Sequence, residues 1–508
     1  MHVVIAGGGV GGLALALALG RHGHQVTVVE RDPLPATADA EEAFLAERRG
    51  APQAHQTHGF LARTFVELRR HFPDVLDDLM AVGGTTMPMT NDLGEPQPGD
   101  EDLRVLIVRR TTFEWVLRRA AVAQRGVRFV TGETVIGLVA TPGRPGPGGH
   151  LPVVTGVALD NGATLAADVV VAATGRRGDV PAWLGAVGVD VPETVHESGL
   201  MYLSRWYRLP EALDLDLDPK LGGDLGFVKY LAVPGDGRTL SITLALRPED
   251  TALRRTLSVD AAFEEACRIL PGPSQFFAHG PLVPVGGVRP MGGLMNRLRR
   301  FVDPEGRPTA LGFHAIGDAH TCTNPLYGRG CSLALAQALL LADAVADHPG
   351  VDAAAAEARA AAYEAGAHRE VEPWFEASVQ MDELGADPAG LAGARDSGPG
   401  KAMAAVFVAA ATDPIIGRGL ARLWNLLMTP AEMAADAVLT GRMAEVMANP
   451  DAYPTPAPEG PTREALLDHL APFAAPFTGT AGPGTPGAAA DPGTVTADIA
   501  DPEEQSVA

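Results

Sequence analysis

Short apolar runs separated by glycines dominate the first thirty residues. Val3, Val4 and Ile5 form one run, residues 13–19 a second of helical length, and residues 26–29 a third, closed by Glu30. Two strands apolar on both faces around one helix predict a parallel sheet covered on both sides. Further strands are expected at residues 105–108, 127–130, 134–138, 153–159, 164–165 and 169–173. Helices are expected at 60–72 and from Arg110, where Phe113, Val116, Leu117 and Ala120 recur at helical spacing. Residues 142–152 read as a Pro/Gly loop.

From residue 181 to 300 the pattern changes to alternation. Residues 200–207, 226–233 and 239–246 read as antiparallel strands. Their aromatics Tyr202, Trp206, Phe227 and Tyr230 alternate at period two, which suits a buried sheet face or a substrate wall. Residues 331–345 and 402–427 return to helical spacing. From residue 479 onward Gly, Pro, Ala, Thr and Asp dominate, and a disordered tail is expected.

Composition narrows the function classes. Forty basic against sixty-two acidic residues give a net charge of −22, which argues against nucleic acid and anionic membranes as partners. Three cysteines make neither a disulfide framework nor a zinc spacing, so no metal is expected and a reduced, cytoplasmic setting is the default. No uninterrupted apolar stretch of membrane-spanning length is found, so no transmembrane segment is expected.

The chemistry lies in two glycine motifs. Gly7, Gly9 and Gly12 give G-x-G-x-x-G between a strand and a helix. Gly7 permits the tight turn, Gly9 lets a pyrophosphate approach the backbone, and Gly12 allows close packing of helix on strand. The helix start offers unpaired N–H groups to phosphate, and Glu30 can accept from ribose hydroxyls. The second motif runs from Gly317-Asp318 through Pro325, Gly328 and Gly330 into a new helix. Asp318 suits the hydroxyls of a sugar-like chain, and Gly328 and Gly330 let a flat ring lie on the backbone. Arg110, between a strand and a helix, is a second candidate cofactor contact. Arg48 and Arg49 are surface charges or phosphate contacts. His55 and His58 have a ligand-like spacing but no carboxylate or cysteine nearby.

Together these motifs resemble the flavoprotein monooxygenases of the p-hydroxybenzoate hydroxylase fold, over residues 1 to about 380. The resemblance implies an α/β protein of discontinuous domains. Residues 1–180 and 301–380 would form a Rossmann-like FAD-binding domain. Residues 181–300 would be an inserted antiparallel substrate-binding sheet, 381–478 a helical C-terminal region and 479–508 the tail. The implied cofactor set is Gly7, Gly9, Gly12, Glu30, Arg31, Arg49, Arg110, Val135, Gly175, Asp318, Pro325, Gly328 and Gly330. Within the superfamily, residues 49–53 with His58, and residues 200–207 with Arg205 and Trp206, resemble the flavin-dependent epoxidases of polyether antibiotic assembly.

One departure stands out. The middle Asp-Gly pair of this family falls at Thr174-Gly175, without its aspartate. Hydride from NADH or NADPH would then arrive directly or through a partner flavin reductase. The resemblance implies oxygen transfer from a flavin C4a-hydroperoxide, as epoxidation or hydroxylation, to a small apolar polyketide or terpenoid substrate. No base stands out; His58 and His320 are the catalytic candidates. Related halogenases need an early lysine, and none precedes Lys220. An FAD-dependent reductase of isoprenoid double bonds and a non-catalytic flavin-binding module are the alternatives.

Overall fold

A computed structural model describes residues 1–33, 37–90, 93–146, 149–211, 221–278, 280–386, 398–457 and 459–473. The expected tail at 479–508 lies outside them. The chain opens with β1 (His2–Ala6), α1 (Val10–Arg21) and β2 (Gln25–Glu30). Helix α2 (Arg110–Ala123), β3 (Val127–Thr131) and β4 (Val169–Ala172) follow. The antiparallel strands β5 (Met201–Arg208), β6 (Val228–Gly235) and β7 (Thr239–Leu246) come next. The chain then returns through β8 (Phe313–Ala315), α3 (Gly330–Asp347) and α4 (Glu372–Ala386).

Five strands form a parallel sheet in the order β8-β4-β1-β2-β3. Its alternation explains the continuous apolar runs. Val3 and Ile5 of β1 enter a core with α1, α2 and α3, while Val4 and Ala6 enter a second core on the opposite face. Val169 and Val171 of β4 divide from Val170 and Ala172 in the same way. A strand buried on both faces has no polar side to show.

The second sheet is antiparallel, with β6, β7 and β5 between edge strands Gly222–Asp224 and Val283–Met291. The alternating pattern was readable; three helices inside the same stretch were not expected. They span Thr251–Leu257, Asp260–Ile269 and Pro271–Phe277 and pack on one face of the sheet. Their signal was present in the sequence as Leu253, Leu257, Phe263, Ala266, Cys267 and Leu270.

The Pro/Gly loop at 142–152 is also corrected. Paired strands Val135–Gly146 and Gly149–Leu159 run through it, with Pro142 opposite Pro152. Register shifts accompany the pairing, as expected where prolines cannot donate to a ladder. Residues Met1–Ala474 cluster as one compact unit. Helix α3 is long and apolar enough to cross a membrane, and 72% of it is buried inside the protein.

Candidate cofactor and active site

The first glycine turn has two kinds of glycine. A Cβ on Gly12 would lie 2.0 Å from the Gly7 carbonyl oxygen, and one on Gly7, at φ +116°, 2.3 Å from that of Ala173. These two glycines are needed for packing. A Cβ on Gly9 would meet nothing within 4 Å. Gly9 is the N-cap of α1 and has no side-chain cap, so the helix start faces open space. Beside it, Glu30 is 5% exposed and already accepts from the Gly8 N–H at 2.7 Å and the Asp32 N–H at 3.0 Å. These bonds hold its carboxylate at the carboxyl end of β2.

The arginine beside this acid is Arg48, not Arg49. Arg48 Nε donates to Asp32 at 2.9 Å and Nη1 to Glu114 at 2.9 Å, whereas Arg49 is exposed. Arg31 is also exposed, donating to the Gly50 carbonyl at 2.8 Å. Burial alone would lower the Arg48 pKa, but the carboxylates of Glu114, Glu30 and Asp32 hold it above its ordinary value. Val135 packs its side chain into the core, and a valine side chain offers a ligand no polar group.

Arg110 opens α2 and donates to Glu114 one turn later, Nε to Oε1 at 2.9 Å. Burial raises the Glu114 carboxyl, and Arg110 and Arg48 overcome that effect, leaving it below the ordinary value. Arg110 Nη1 lies 3.0 Å from His58 Nε2, and His58 Nδ1 lies 3.0 Å from the Gln56 carbonyl. A guanidinium only donates and a carbonyl only accepts, so the proton sits on Nδ1 and Nε2 accepts. Burial, then Arg110, push the His58 pKa down to about 3. His58 orients Arg110 and has no free nitrogen for catalysis, which removes it as a base.

That arrangement has a pH consequence. Between the unfolded value of 6.5 and about 3, the unfolded chain binds a proton at His58 that the folded chain refuses. Stability of the apoprotein should therefore fall as pH drops through this window, by at most about 1.4 kcal/mol per pH unit from this group. Urea midpoints across the range should show a shallower slope in His58→Gln. An unchanged slope would assign the acid sensitivity elsewhere.

His320 is fully buried on the other side of the Asp318 turn. Its nitrogens face the Thr321 hydroxyl at 2.7 Å and Glu364 at 3.4 Å, and its ring packs near Phe301 and Tyr363. It serves this internal cluster and is likewise removed as a catalytic candidate.

Asp318 differs from the other acids. Among the described residues its carboxylate makes no hydrogen bond. Burial raises its pKa, and the charges of Arg110, Arg176 and Arg297 only partly offset this. It is an acceptor without a donor, next to an open helix start. Gly330 begins α3 with nothing within 4 Å of a built Cβ, and Arg329, at its N-cap, offers no side-chain cap. Pro325 is exposed at the head of the turn Pro325–Tyr327, and Gly328 closes that turn at φ +67°. Gly175, also at φ +67°, has open space around it. The Thr174 hydroxyl, where the related aspartate would stand, is buried without a partner.

The antiparallel sheet separates the four candidate aromatics. Tyr202 and Trp206 point from one face of β5. Tyr202 donates to Asn324 Oδ1 at 3.1 Å and packs with Leu326, and Trp206 Nε1 donates to the His55 carbonyl at 2.7 Å. The same face carries a row of hydroxyls: Ser204 and Thr243 are 2.6 Å apart, and Thr57 bonds both Thr243 and Ser241. Phe227 and Tyr230 are corrected: they belong to the core on the opposite face, beneath the helices at 251–277. Tyr230 aligns through Leu244 with Leu203, one residue out of step with Tyr202, and Phe227 lies just before the strand that carries Tyr230. Spacing along single strands could not reveal this without the pairing of Tyr202 with Ala245 and of Tyr230 with Leu244. Among the described residues no cluster of three or more His, Cys, Asp or Glu is placed to hold a metal.

The residues present are of the kinds that FAD binding requires. Glu30 suits the adenosine ribose, Gly9 and the α1 start the pyrophosphate, Asp318 the ribityl chain, and Gly330 with the α3 start the ring.

Residues 2–90 match the family of FAD dependent oxidoreductases. No curated protein sequence matches the chain. Solved structures match it over most of its length. p-Nitrophenol 4-monooxygenase PnpA from Pseudomonas putida DLL-E4 shares 17% identity over 84% of this chain and 98% of its own, with a TM-score of 0.57. The flavin-dependent brominase Bmp2 shares 17% over 89% and 100%, also at 0.57. PqsL from Pseudomonas aeruginosa shares 18% over 78% and 100%, at 0.55. At these identities the likeness defines the fold, which is that of the FAD-dependent flavoprotein monooxygenases.

Proposed function

We propose that the chain is an FAD-dependent monooxygenase that inserts one oxygen atom from O2 into a small apolar organic substrate, by epoxidation or hydroxylation. The observation that carries this reading is the half-buried Asp318 carboxylate, its pKa raised by burial and bound by no protein donor among the described residues, on a fold with two uncapped glycine-bearing helix starts. Bound FAD would supply the activation and transfer of oxygen. The protein would hold the cofactor along Glu30, Gly9, Asp318 and Gly330. Residues 1–180 and 301–380 would serve that role and 181–300 would serve substrate.

Substrate would lie between the turn Pro325–Tyr327 and the face of β5 that bears Tyr202 and Trp206. Tyr202 already donates its proton inward, and burial raises its pKa well above the ordinary value. Its phenol is therefore not a general base near neutrality. With His58 and His320 engaged elsewhere, no protein base is assigned to the site. Oxygen transfer to an alkene needs none, so an olefinic polyketide or terpenoid is the favoured substrate class. NADH or NADPH would supply electrons, directly or through a partner flavin reductase, in the cytoplasm.

FAD-loaded protein, supplied with NADPH, NADH or a flavin reductase and incubated with alkenes under ¹⁸O₂, should give products carrying one labelled oxygen. Hydrogenated, unlabelled products formed without oxygen would replace this reading with that of a double-bond reductase.

A further inference from the structure

The loop between residues 322 and 330 is gripped from outside by α4. Asp382 Oδ1 accepts from Asn324 Nδ2 at 2.7 Å and from the Tyr327 hydroxyl at 2.6 Å. Asp382 Oδ2 accepts from Asn296 Nδ2 at 2.6 Å. Three donors thus converge on one carboxylate, which as an anion is acceptor-only.

These bonds decide which way the amides face. Because Asn324 presents its NH₂ to Asp382, its oxygen must face the other way. There it accepts from the Leu326 N–H at 3.0 Å and the Tyr202 hydroxyl at 3.1 Å. Because Asn296 also presents its NH₂ to Asp382, its oxygen accepts from the Asn324 N–H at 2.8 Å. Neither amide can turn over without breaking a second bond. One carboxylate therefore sets the cap of the Pro325–Tyr327 turn and the direction of the Tyr202 phenol. Asn296 and Asn324 are fully buried, so water cannot replace a lost partner cheaply. The same helix holds the far end of the loop. Arg329 Nη1 donates to Ser378 Oγ at 2.6 Å and to the Trp374 carbonyl at 3.2 Å, and its guanidinium lies over Tyr327 and Trp374.

We infer that Asp382 is a positioning residue that, through Asn324 and Tyr327, sets the loop on which the flavin ring would rest and ties Tyr202 of the substrate sheet to it. The inference rests on the flavin reading above. It assigns to the C-terminal helical region a direct part in shaping the site.

The test is an FAD titration of the apoprotein, followed by flavin fluorescence and by the visible spectrum of the bound flavin. Asp382→Asn places an NH₂ against that of Asn296. It should weaken FAD about tenfold, as expected when a buried donor loses its acceptor, and shift the flavin bands. Asn324→Ala should do the same, and the double variant should be little worse than either single one, because both act on one loop. Tyr327→Phe, which changes almost no volume, should shift the spectrum in the same direction by less, and it carries the test if the others fail to fold. Wild-type affinity and spectrum in Asp382→Asn, or in Tyr327→Phe where Asp382→Asn is unfolded, would overturn the inference, and so would strictly additive effects. Wild-type protein that takes up no FAD would overturn the flavin reading itself, an outcome distinct from variants that match a flavin-bound wild type.

Discussion

Gly9→Val should abolish FAD retention while leaving the apoprotein as stable as the wild type. The residue sits at φ −86° and ψ −171°, an extended conformation that valine adopts freely. Its Cβ would meet nothing within 4 Å, so the fold has no reason to shift. Stability should change by no more than about 0.5 kcal/mol, the usual range for a substitution that touches nothing. The added isopropyl group would occupy the space in which a pyrophosphate approaches the backbone of the α1 start, and affinity should fall on the order of a hundredfold or more. Gly12→Ala is the instructive contrast, because its Cβ would collide with the Gly7 carbonyl at 2.0 Å. That variant should lose stability and cofactor together. Thermal melts of both apoproteins and FAD titrations would separate the cases. Normal FAD binding by Gly9→Val would remove the first glycine turn from the cofactor site.

The second large effect belongs to Glu114. This carboxylate is 4% exposed and joins two partly buried guanidinium groups, Arg48 and Arg110. Glu114→Ala leaves Arg48 with Asp32 and Glu30, and leaves Arg110 hydrogen-bonded to the neutral His58 with Asp318 as its remaining acidic neighbour. Breaking a buried pair strands a charge in a poorly solvated site, at a cost of about 3–5 kcal/mol. Glu114→Gln keeps one acceptor and should cost less. Because the folded carboxyl lies below its ordinary value of 4.5, its contribution is complete above that unfolded value and is lost as pH falls through the folded pKa. The gap between wild type and Glu114→Ala in urea denaturation should therefore be full at pH 7 and shrink in acid. A variant as stable as wild type at pH 7 would show that the arginines find other partners.

Much of this site could be read from single residues. The turn at Gly7, Gly9 and Gly12, Glu30 at the strand end, Arg110 at a helix start and Asp318 before a glycine loop all lie beside a local signal. Each is placed by the strand or helix that carries it. Arg48 and Arg49 could not be told apart, because which of two neighbours turns inward depends on Asp32 and Glu114. Glu114 itself had a signal, four residues beyond Arg110 on the same helix. Asp382 had none: its partners are 58, 55 and 86 residues away in the chain. The histidines failed as candidates for a similar reason. Nothing local shows that His58 already accepts from Arg110, or that His320 faces Glu364.

Sequence alone therefore determined the parallel βαβ start, the antiparallel middle and the two anion-ready helix starts. These depend on periodicity, on glycine's missing side chain and on helix ends, all of which act within a few residues. The tertiary structure decided which side of each sheet the aromatics occupy, which arginine is buried and which carboxylate holds the loop. Those outcomes turn on strand register and on burial among distant partners. A one-residue change in pairing reverses a side chain's direction, and a buried charge is stable only where the fold brings its counter-charge.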